Sequence, residues 1–245
     1  MRGPHNVIRL IRTGATLERT GAMNVVLDAF EAPKPLRFVA HALGKPFMWL
    51  GYKGDPAMPP ATRALTALGP AYIKFGQVLS TRPDVVGQEL ADQLRVLQDK
   101  LPPFPVDVAK REVAKELGQP LDQMFSSFSE PIAAASIAQV HKAQLATTQE
   151  DVAVKVLRPG IEKAFRKDVD AFYLAARIVD LFAPGARRLR PMDVIEHFDG
   201  VVRGELDLRL ESSAASEFAA NTKDDDGFQL PSIVWGLSAR RVMTL

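Results

Sequence analysis

Apolar residues recur at helical spacing over most of this chain, and the period shifts to strand-like alternation only in its middle and at its end. Val7, Ile8, Leu10, Ile11 and Leu17, followed by Val25, Val26 and Leu27, predict one or two helices up to about Phe30, broken near Gly14 and Gly21. Residues 31–60 carry Pro33, Pro35, Pro46, Pro56, Pro59 and Pro60 with Gly44, Gly51 and Gly54, which reads as a linker around a short apolar helix. Between Thr62 and Leu97, Leu65, Leu68, Ile73, Val78 and Leu79 suit a helix. Pro83 should end it, with Asp84 a candidate cap for a second helix. Leu101-Pro-Pro-Phe-Pro105 is a break, and a helix from about Val106 to Leu117 should stop at Gly118, a natural left-handed cap.

Met124–Glu130, Ile137–Leu145 and Val152–Leu157 read as strands, with a loop at Pro131–Ser136. Arg158-Pro-Gly160 turns the chain into a long helix, Ile161–Phe182, interrupted at Pro184-Gly185. A second helix is expected from Met192 to Ala220, with Asp193 as its N-cap candidate. Phe228–Gly236 and Arg240–Leu245 then read as two more strands in hairpin order. The pattern is α+β, with five strands in an antiparallel order.

Composition narrows the chemistry. With 245 residues, 47% hydrophobic and 24% charged, the chain can bury one large core or two small ones. A net charge of +2 offers no bulk electrostatic attraction for nucleic acid, but residues 1–80 hold ten Lys/Arg against four Asp/Glu. The absence of cysteine excludes disulfides, thiolate metal sites and a Cys nucleophile, leaving Lys, Glu, Asp, Gln and Ser to carry any reaction. No uncharged apolar window is long enough for a transmembrane helix, and the N-terminus lacks the apolar core of a secretory signal. Arg2, Arg9, Arg12 and Arg19, with no acid before Glu18, fit an amphipathic helix packed on the domain, an anionic membrane contact or a transit peptide.

The most specific stretch is Pro131-Ile-Ala-Ala-Ala-Ser-Ile-Ala-Gln-Val-His141, followed by Val-Ala-Val-Lys ending at Lys155. Set beside the kinase phosphate-loop pattern G-x-G-x-x-G-x-V, it keeps the spacing and replaces every glycine. Ala133, Ala135 and Ala138 take the glycine places and Val140 the valine place. A Cβ at each restricts φ and close backbone approach, so such a loop should hold a nucleotide differently from a protein kinase. Runs like Val-Ala-Val-Lys occur in many strands, so the weight of Lys155 rests on its spacing to the loop. Lys74 and Gln77 are three apart and share a helix face, which periodicity alone reads as solvated. Asp207 and Glu211 are four apart and can share a face, whereas Glu205 and Asp207 cannot; a charged stripe and a functional site both fit. Lys223-Asp-Asp-Asp-Gly227 lacks the spacing of a calcium loop, and no metal site is expected. His197-Phe-Asp-Gly200 mimics fragments of kinase motifs but lies in a helical stretch.

In order along the chain, these elements resemble the UbiB/AarF (ADCK) atypical protein-kinase-like family from about Thr62 to Leu245. They are Lys-x-Gly-Gln at Lys74–Gln77, the alanine loop Ala133–Ser136 with Ile137-Ala-Gln-Val-His141, the strand lysine Lys155, and Glu-x-Asp at Glu205 and Asp207 with Glu211 following. The resemblance implies a basic helical arm and linker (1–60), a helical extension (61–120), and a kinase-like N-lobe with an αC-type helix and a helical insertion (121–245). The C-lobe is not expected within the chain. It implies ATP or ADP binding, with Ile132, Ala133, Ala134, Ala135, Ser136, Ile137, Ala138, Gln139 and Val140 around the nucleotide and Lys155 on the α/β-phosphates. Glu211 would pair with Lys155, Lys74 and Gln77 would cover the site, and Glu205 and Asp207 would hold Lys74. Magnesium is expected only with a C-lobe. Implied partners are a membrane surface or quinone-precursor lipids and ubiquinone-biosynthesis proteins. The implied location is peripheral at the inner membrane, on the cytoplasmic side in a bacterium, or mitochondrial in a eukaryote. Two functions stay open: the N-terminal part of an ATPase, inactive by itself, or a short non-catalytic scaffolding module.

Overall fold

The computed structural model describes residues 5–97, 102–182, 185, 187, 190–223, 225, 227 and 229–245. Leu101, Pro184, Asp224, Asp226 and Phe228, each part of an element expected from the sequence, lie outside these. In chain order the elements are α1 (His5–Thr20), α2 (Ala22–Ala29), α3 (Lys34–Gly44) with a 3-10 segment (Lys45–Leu50), α4 (Pro60–Leu68), α5 (Pro70–Ser80), α6 (Pro83–Val86) and α7 (Gln88–Arg95). They continue as α8 (Val106–Leu117), α9 (Leu121–Met124), β1 (Phe125–Ala134), β2 (Ala138–Leu145), β3 (Asp151–Leu157), α10 (Ile161–Phe182), α11 (Pro191–Glu205), α12 (Leu208–Asn221) and β4 (Val242–Thr244). Two compact units result, residues 1–98 with 163–200, and residues 99–162 with 201–245.

The first unit is helical. Its N-terminal break falls at Gly21, whose φ of 81° few other residues tolerate. Gly14 does not break the helix as expected. It sits inside α1 where Gly44 of α3 crosses, and a Cβ on Gly44 would lie 2.9 Å from the Gly14 carbonyl oxygen. The helix expected through Thr62–Leu97 is likewise divided, because Gly69 turns at φ 112° and Pro70 restarts the chain at a first helical position. Pro83 also starts a helix, so Asp84 falls inside α6 and pairs with Arg82 at 2.8 Å instead of capping. Tyr72 and Phe75 of α5 pack on Phe172 of α10 with ring centroids 4.7 and 5.1 Å apart, and Phe75 also meets Phe198 of α11. Phe198, the phenylalanine of the kinase-motif mimic, is fully buried in this aromatic cluster. The Tyr72 hydroxyl lies 2.6 Å from Thr13 Oγ1, and burial raises its pKa. Arg9 pairs with the buried Asp168, whose pKa burial raises against the pull of that arginine.

The second unit is a four-stranded antiparallel sheet in the order β1-β2-β3-β4, with α8 on its core face. Val113 of α8 joins Phe125, Ala143, Leu145, Val152, Val154, Val156 and Val242 in that core. Alternation along β2 and β3 sends those valines inward and Val140, Lys142, Ala153 and Lys155 to the other face. α8 ends at Gly118, in the left-handed conformation the sequence calls for.

The sequence predicts five strands, and four are found among the described residues. Val234 donates to the Thr244 carbonyl at 2.9 Å, a single rung of the expected hairpin. Beyond it Pro231 has no N–H for a ladder. Ser238 and Thr244 hydroxyls bond the Val234 and Leu237 carbonyls, so side chains replace strand pairing there. The single helix expected over Met192–Ala220 is two helices, because Asp207 is extended and caps the second one. Asp193, the expected cap, lies in the first turn of α11 and pairs with Arg190.

Candidate functional site

The site is built on the outward face of the sheet. Ala133 lies opposite Val140, Val140 opposite Lys155, and Lys155 opposite Met243, so one transverse row crosses all four strands. Side chains directly opposite in an antiparallel sheet share a face. The alanine loop and the strand lysine are therefore brought to the same face by register alone. The loop is shorter than the sequence suggested: β1 runs on through Ala134, with Ile132 displaced at an irregularity between Pro131 and Ala133. Ile132 is 64% exposed. The turn proper is Ala135, Ser136 and Ile137, closed by Ala135 N–H donating to the Ala138 carbonyl at 2.8 Å.

Lys155 Nζ donates to both carboxylate oxygens of Glu211, at 2.6 and 2.7 Å. Glu211 stands in the first turn of α12, where the positive end of the helix dipole favours a carboxylate. The pair is partly open to solvent, at 27% and 50% side-chain exposure, so a ligand can reach the ammonium. Ala153, two residues before Lys155, shares its face and adds only a methyl group, leaving a low surface beside the lysine. Sequence reading missed Ala153, although strand alternation marks it.

Asp207 holds the start of α12. Its carboxylate accepts from the Arg209 backbone at 3.2 Å and from the Arg209 guanidinium at 2.8 and 2.6 Å. That arginine keeps the Asp207 pKa below the usual carboxylate value. Asp207 is extended and caps the helix, so the shared helix face that its spacing to Glu211 allowed is not the geometry it adopts. Glu205 ends α11.

Lys74 and Gln77 lie on α5 of the first unit. Gln77 donates to the Leu97 carbonyl at 3.3 Å. Gly76 between them is a close-packing position, since a Cβ there would sit 2.3 Å from Leu97 Cδ1 and 2.6 Å from Leu65 Cδ1. Within the second unit the fold thus brings the loop strands, Lys155 and Glu211 to one place, while Asp207 caps the helix that carries Glu211.

Gln139 faces the core side and is 1% exposed. Its amide oxygen accepts from Phe104 N–H at 3.0 Å, and its Nε2 lies 3.2 Å from the Phe104 carbonyl and 2.9 Å from His141 Nε2. His141 Nδ1 donates to the Ser129 carbonyl at 2.8 Å, and burial lowers its pKa, which fits a neutral ring. Arg158 was read only as part of a turn. Its Nε and Nη2 donate to the Ala135 carbonyl at 3.1 and 3.0 Å, and Nη2 also reaches the Pro102 carbonyl at 2.9 Å. An open depression of about 350 Å³ lined by Ser127, Phe128, Ser129, Lys142, Gln144 and Asp151 includes none of the expected site residues.

A strand lysine held by a glutamate from a neighbouring helix, on the face beneath a β1–β2 turn, is the arrangement of a protein-kinase N-lobe. Residues 96–245 match the ABC1 atypical kinase-like domain, and the chain belongs to that family. It is 40% identical over 221 residues to a "Probable protein kinase UbiB" of Aliivibrio fischeri (strain MJ11), covering 89% of this chain and 40% of that protein. A protein of the same description from Pseudomonas aeruginosa (strain LESB58) is 35% identical over 242 residues, covering 98% of this chain and 45% of its own length. Among solved structures, the complex of Rv3197 with erythromycin from Mycobacterium tuberculosis is similar with a TM-score of 0.51 at 32% identity, covering 69% of this chain and 42% of that one. The chain spans less than half the length of these relatives.

Proposed function

We propose that this chain forms the phosphate-binding half of a UbiB-type atypical kinase or ATPase that supports ubiquinone (coenzyme Q) biosynthesis, with ATP or ADP as its nucleotide. The observation that carries this reading is the Lys155–Glu211 pair, on the same sheet face as Val140 and Ala133. Lys155 would meet the α/β-phosphates, Glu211 would hold its ammonium in place, and the turn at Ala135–Ile137 would roof them. Lys74 and Gln77 would cover the site, with Glu205 and Asp207 holding Lys74, which favours ATPase or regulatory chemistry over phosphorylation of a protein. Among the described residues no group of three or more His, Asp or Glu side chains is placed to hold a metal ion, so no step is assigned to magnesium. The residues gathered around Lys155 would bind and position phosphate, and turnover by this chain alone is expected to be negligible. Robust hydrolysis by the purified chain, abolished by Lys155→Met, would overturn the half-site assignment. In a longer protein that carries this chain, Lys74→Ala should change nucleotide preference or hydrolysis; an effect confined to melting temperature would return Lys74 to a surface role.

We further propose that the first unit meets an anionic lipid surface, which places the protein at the periphery of a membrane, the bacterial inner membrane in the hosts of its relatives. Phe38 and Trp49 are 75% and 73% exposed, and with Ala42, Lys45 and Pro46 they fall on one helical stripe running from α3 into the 3-10 segment. Residues 34–54 contain Lys34, Lys45 and Lys53 and no acid. Aromatic side chains flanked by lysines suit the bilayer interface. No helix among the described residues is long and apolar enough to cross a membrane. Sedimentation with vesicles containing anionic lipid should carry the chain down, and Phe38→Ser with Trp49→Ser should abolish this; equal binding to neutral vesicles would contradict the reading. Quinone-precursor lipids and proteins of ubiquinone biosynthesis are the partners this location would supply.

A further inference from the structure

The alanine loop is tied from behind to the segment that leads into α8. Arg158 follows β3 directly and grips the loop from two directions: its guanidinium holds the Ala135 carbonyl, and its own N–H donates to the Ile137 carbonyl at 2.8 Å. The same guanidinium bonds the Pro102 carbonyl and lies 5.7 Å from the centre of the Phe104 ring. One residue into β2, Gln139 bonds both the N–H and the carbonyl of Phe104, in the way a neighbouring strand would. His141 passes the connection on to Ser129 of β1. Gln139 and His141 are 1% and 0% exposed, so these bonds lie in a low-dielectric interior where breaking one leaves a buried polar group without its partner. Arg158 is itself anchored, since its carbonyl accepts from Arg241 Nη2 at 3.3 Å and Arg241 pairs with Glu112 at 2.9 Å.

We propose that Arg158 is a positioning residue that latches the alanine loop to residues 102–105, so that the two move as one body and nucleotide enters and leaves only when the latch parts. A glycine loop in a kinase can close on phosphates by itself. Here alanines stiffen the loop from within and Arg158 fixes its tip from outside. A pull on residues 102–105 would then be felt at the phosphate side of the site. The second half of this proposal rests on the nucleotide reading above, and the first half does not.

The test compares Arg158→Lys, which keeps the charge but loses the planar fork, with Phe104→Leu, which keeps an apolar side chain but removes the ring face. Hydrogen exchange of the full chain is followed in peptides covering residues 102–106 and 132–140, alongside release of a fluorescent ADP analogue by stopped flow. For Arg158→Lys the expected result is exchange faster by about tenfold in both peptides together, the size of a lost charged hydrogen bond, and for Phe104→Leu a smaller acceleration in both, the size of a lost cation–π contact. ADP release should accelerate by a similar factor, with exchange in α10 unchanged. Faster exchange in only one of the two peptides, or in neither, overturns the latch. Coupled exchange with unchanged ADP release overturns the gating role. Coupled exchange in a wild-type chain that binds no nucleotide at all removes the gating role together with the nucleotide reading, while the exchange data show the latch itself intact.

Discussion

Lys155 Nζ sits within 2.7 Å of both carboxylate oxygens of Glu211, so one ammonium joins the third strand of the sheet to the first turn of α12. Surface pairs of this openness contribute about 0–1 kcal/mol to stability. The geometry is therefore better explained by what it does to the lysine than by what it does to the fold. It removes the rotamer freedom of a flexible side chain and, on the nucleotide reading proposed above, fixes a cation for the phosphates to meet.

Lys155→Met and Glu211→Gln should each lower the unfolding free energy by no more than about 1 kcal/mol. Affinity for ADP should fall about tenfold or more, equivalent to roughly 1.4 kcal/mol. Urea unfolding and equilibrium binding on the same preparations separate the two effects. A large loss of stability with unaltered binding would make the pair purely structural.

Asp207 should matter to α12 through two bonds that different substitutions distinguish. Asp207→Ala removes the cap and the Arg209 pair and should cost about 1 kcal/mol, whereas Asp207→Asn keeps a capping oxygen and should cost less. Because Arg209 depresses the folded pKa of Asp207, its contribution is complete above the unfolded value of about 3.9 and fades as pH falls through the folded value. In the Asn variant that acid-side dependence should be reduced, as read from unfolding curves between pH 2 and 5.

His141 adds a second pH dependence at higher pH. Burial lowers its folded pKa, so the unfolded chain takes up the proton first. Stability should be complete above the unfolded value of about 6.5 and decline as pH falls below it toward the folded value. His141→Gln should flatten the slope of unfolding free energy between pH 5 and 7. An unchanged slope would mean that folding leaves the ring's proton affinity as it is in the unfolded chain.

Gly76→Ala tests the glycine of the Lys-x-Gly-Gln motif as a packing residue. The new methyl would collide with Leu97 and Leu65, and overpacking of this kind costs about 1–3 kcal/mol. A melting temperature equal to that of the wild type would show that the helices yield there without cost.

Much of the fold was legible because single residues settle it locally. Gly118 stops α8 and the 161–182 helix appears with the ends its periodicity implies. The loop, Lys155 and Glu211 were found from spacing and resemblance together, since register turns an alternating pattern into a shared face. What stayed hidden depended on tertiary partners. Gly14 reads as a breaker until Gly44 is packed on it, and Asp207 reads as one charge in a stripe until the chain bends at Leu206 to make it a cap. The fifth strand failed because the hydroxyls of Ser238 and Thr244 compete for the backbone groups a ladder would use. Arg158 carried no signal beyond its turn, as its partners Pro102 and Ala135 are distant in sequence.

The most direct test of the phosphate half-site is covalent. An acyl-phosphate derivative of ADP transfers its acyl group to lysine amines held beside the bound phosphates, and the modified residue is read by peptide mass spectrometry. On the half-site reading, Lys155 is acylated ahead of the exposed Lys142 and Lys163, excess ADP protects it, and Glu211→Gln weakens the protection. Acylation of Lys155 no faster than that of those lysines, and indifferent to ADP, would contradict it.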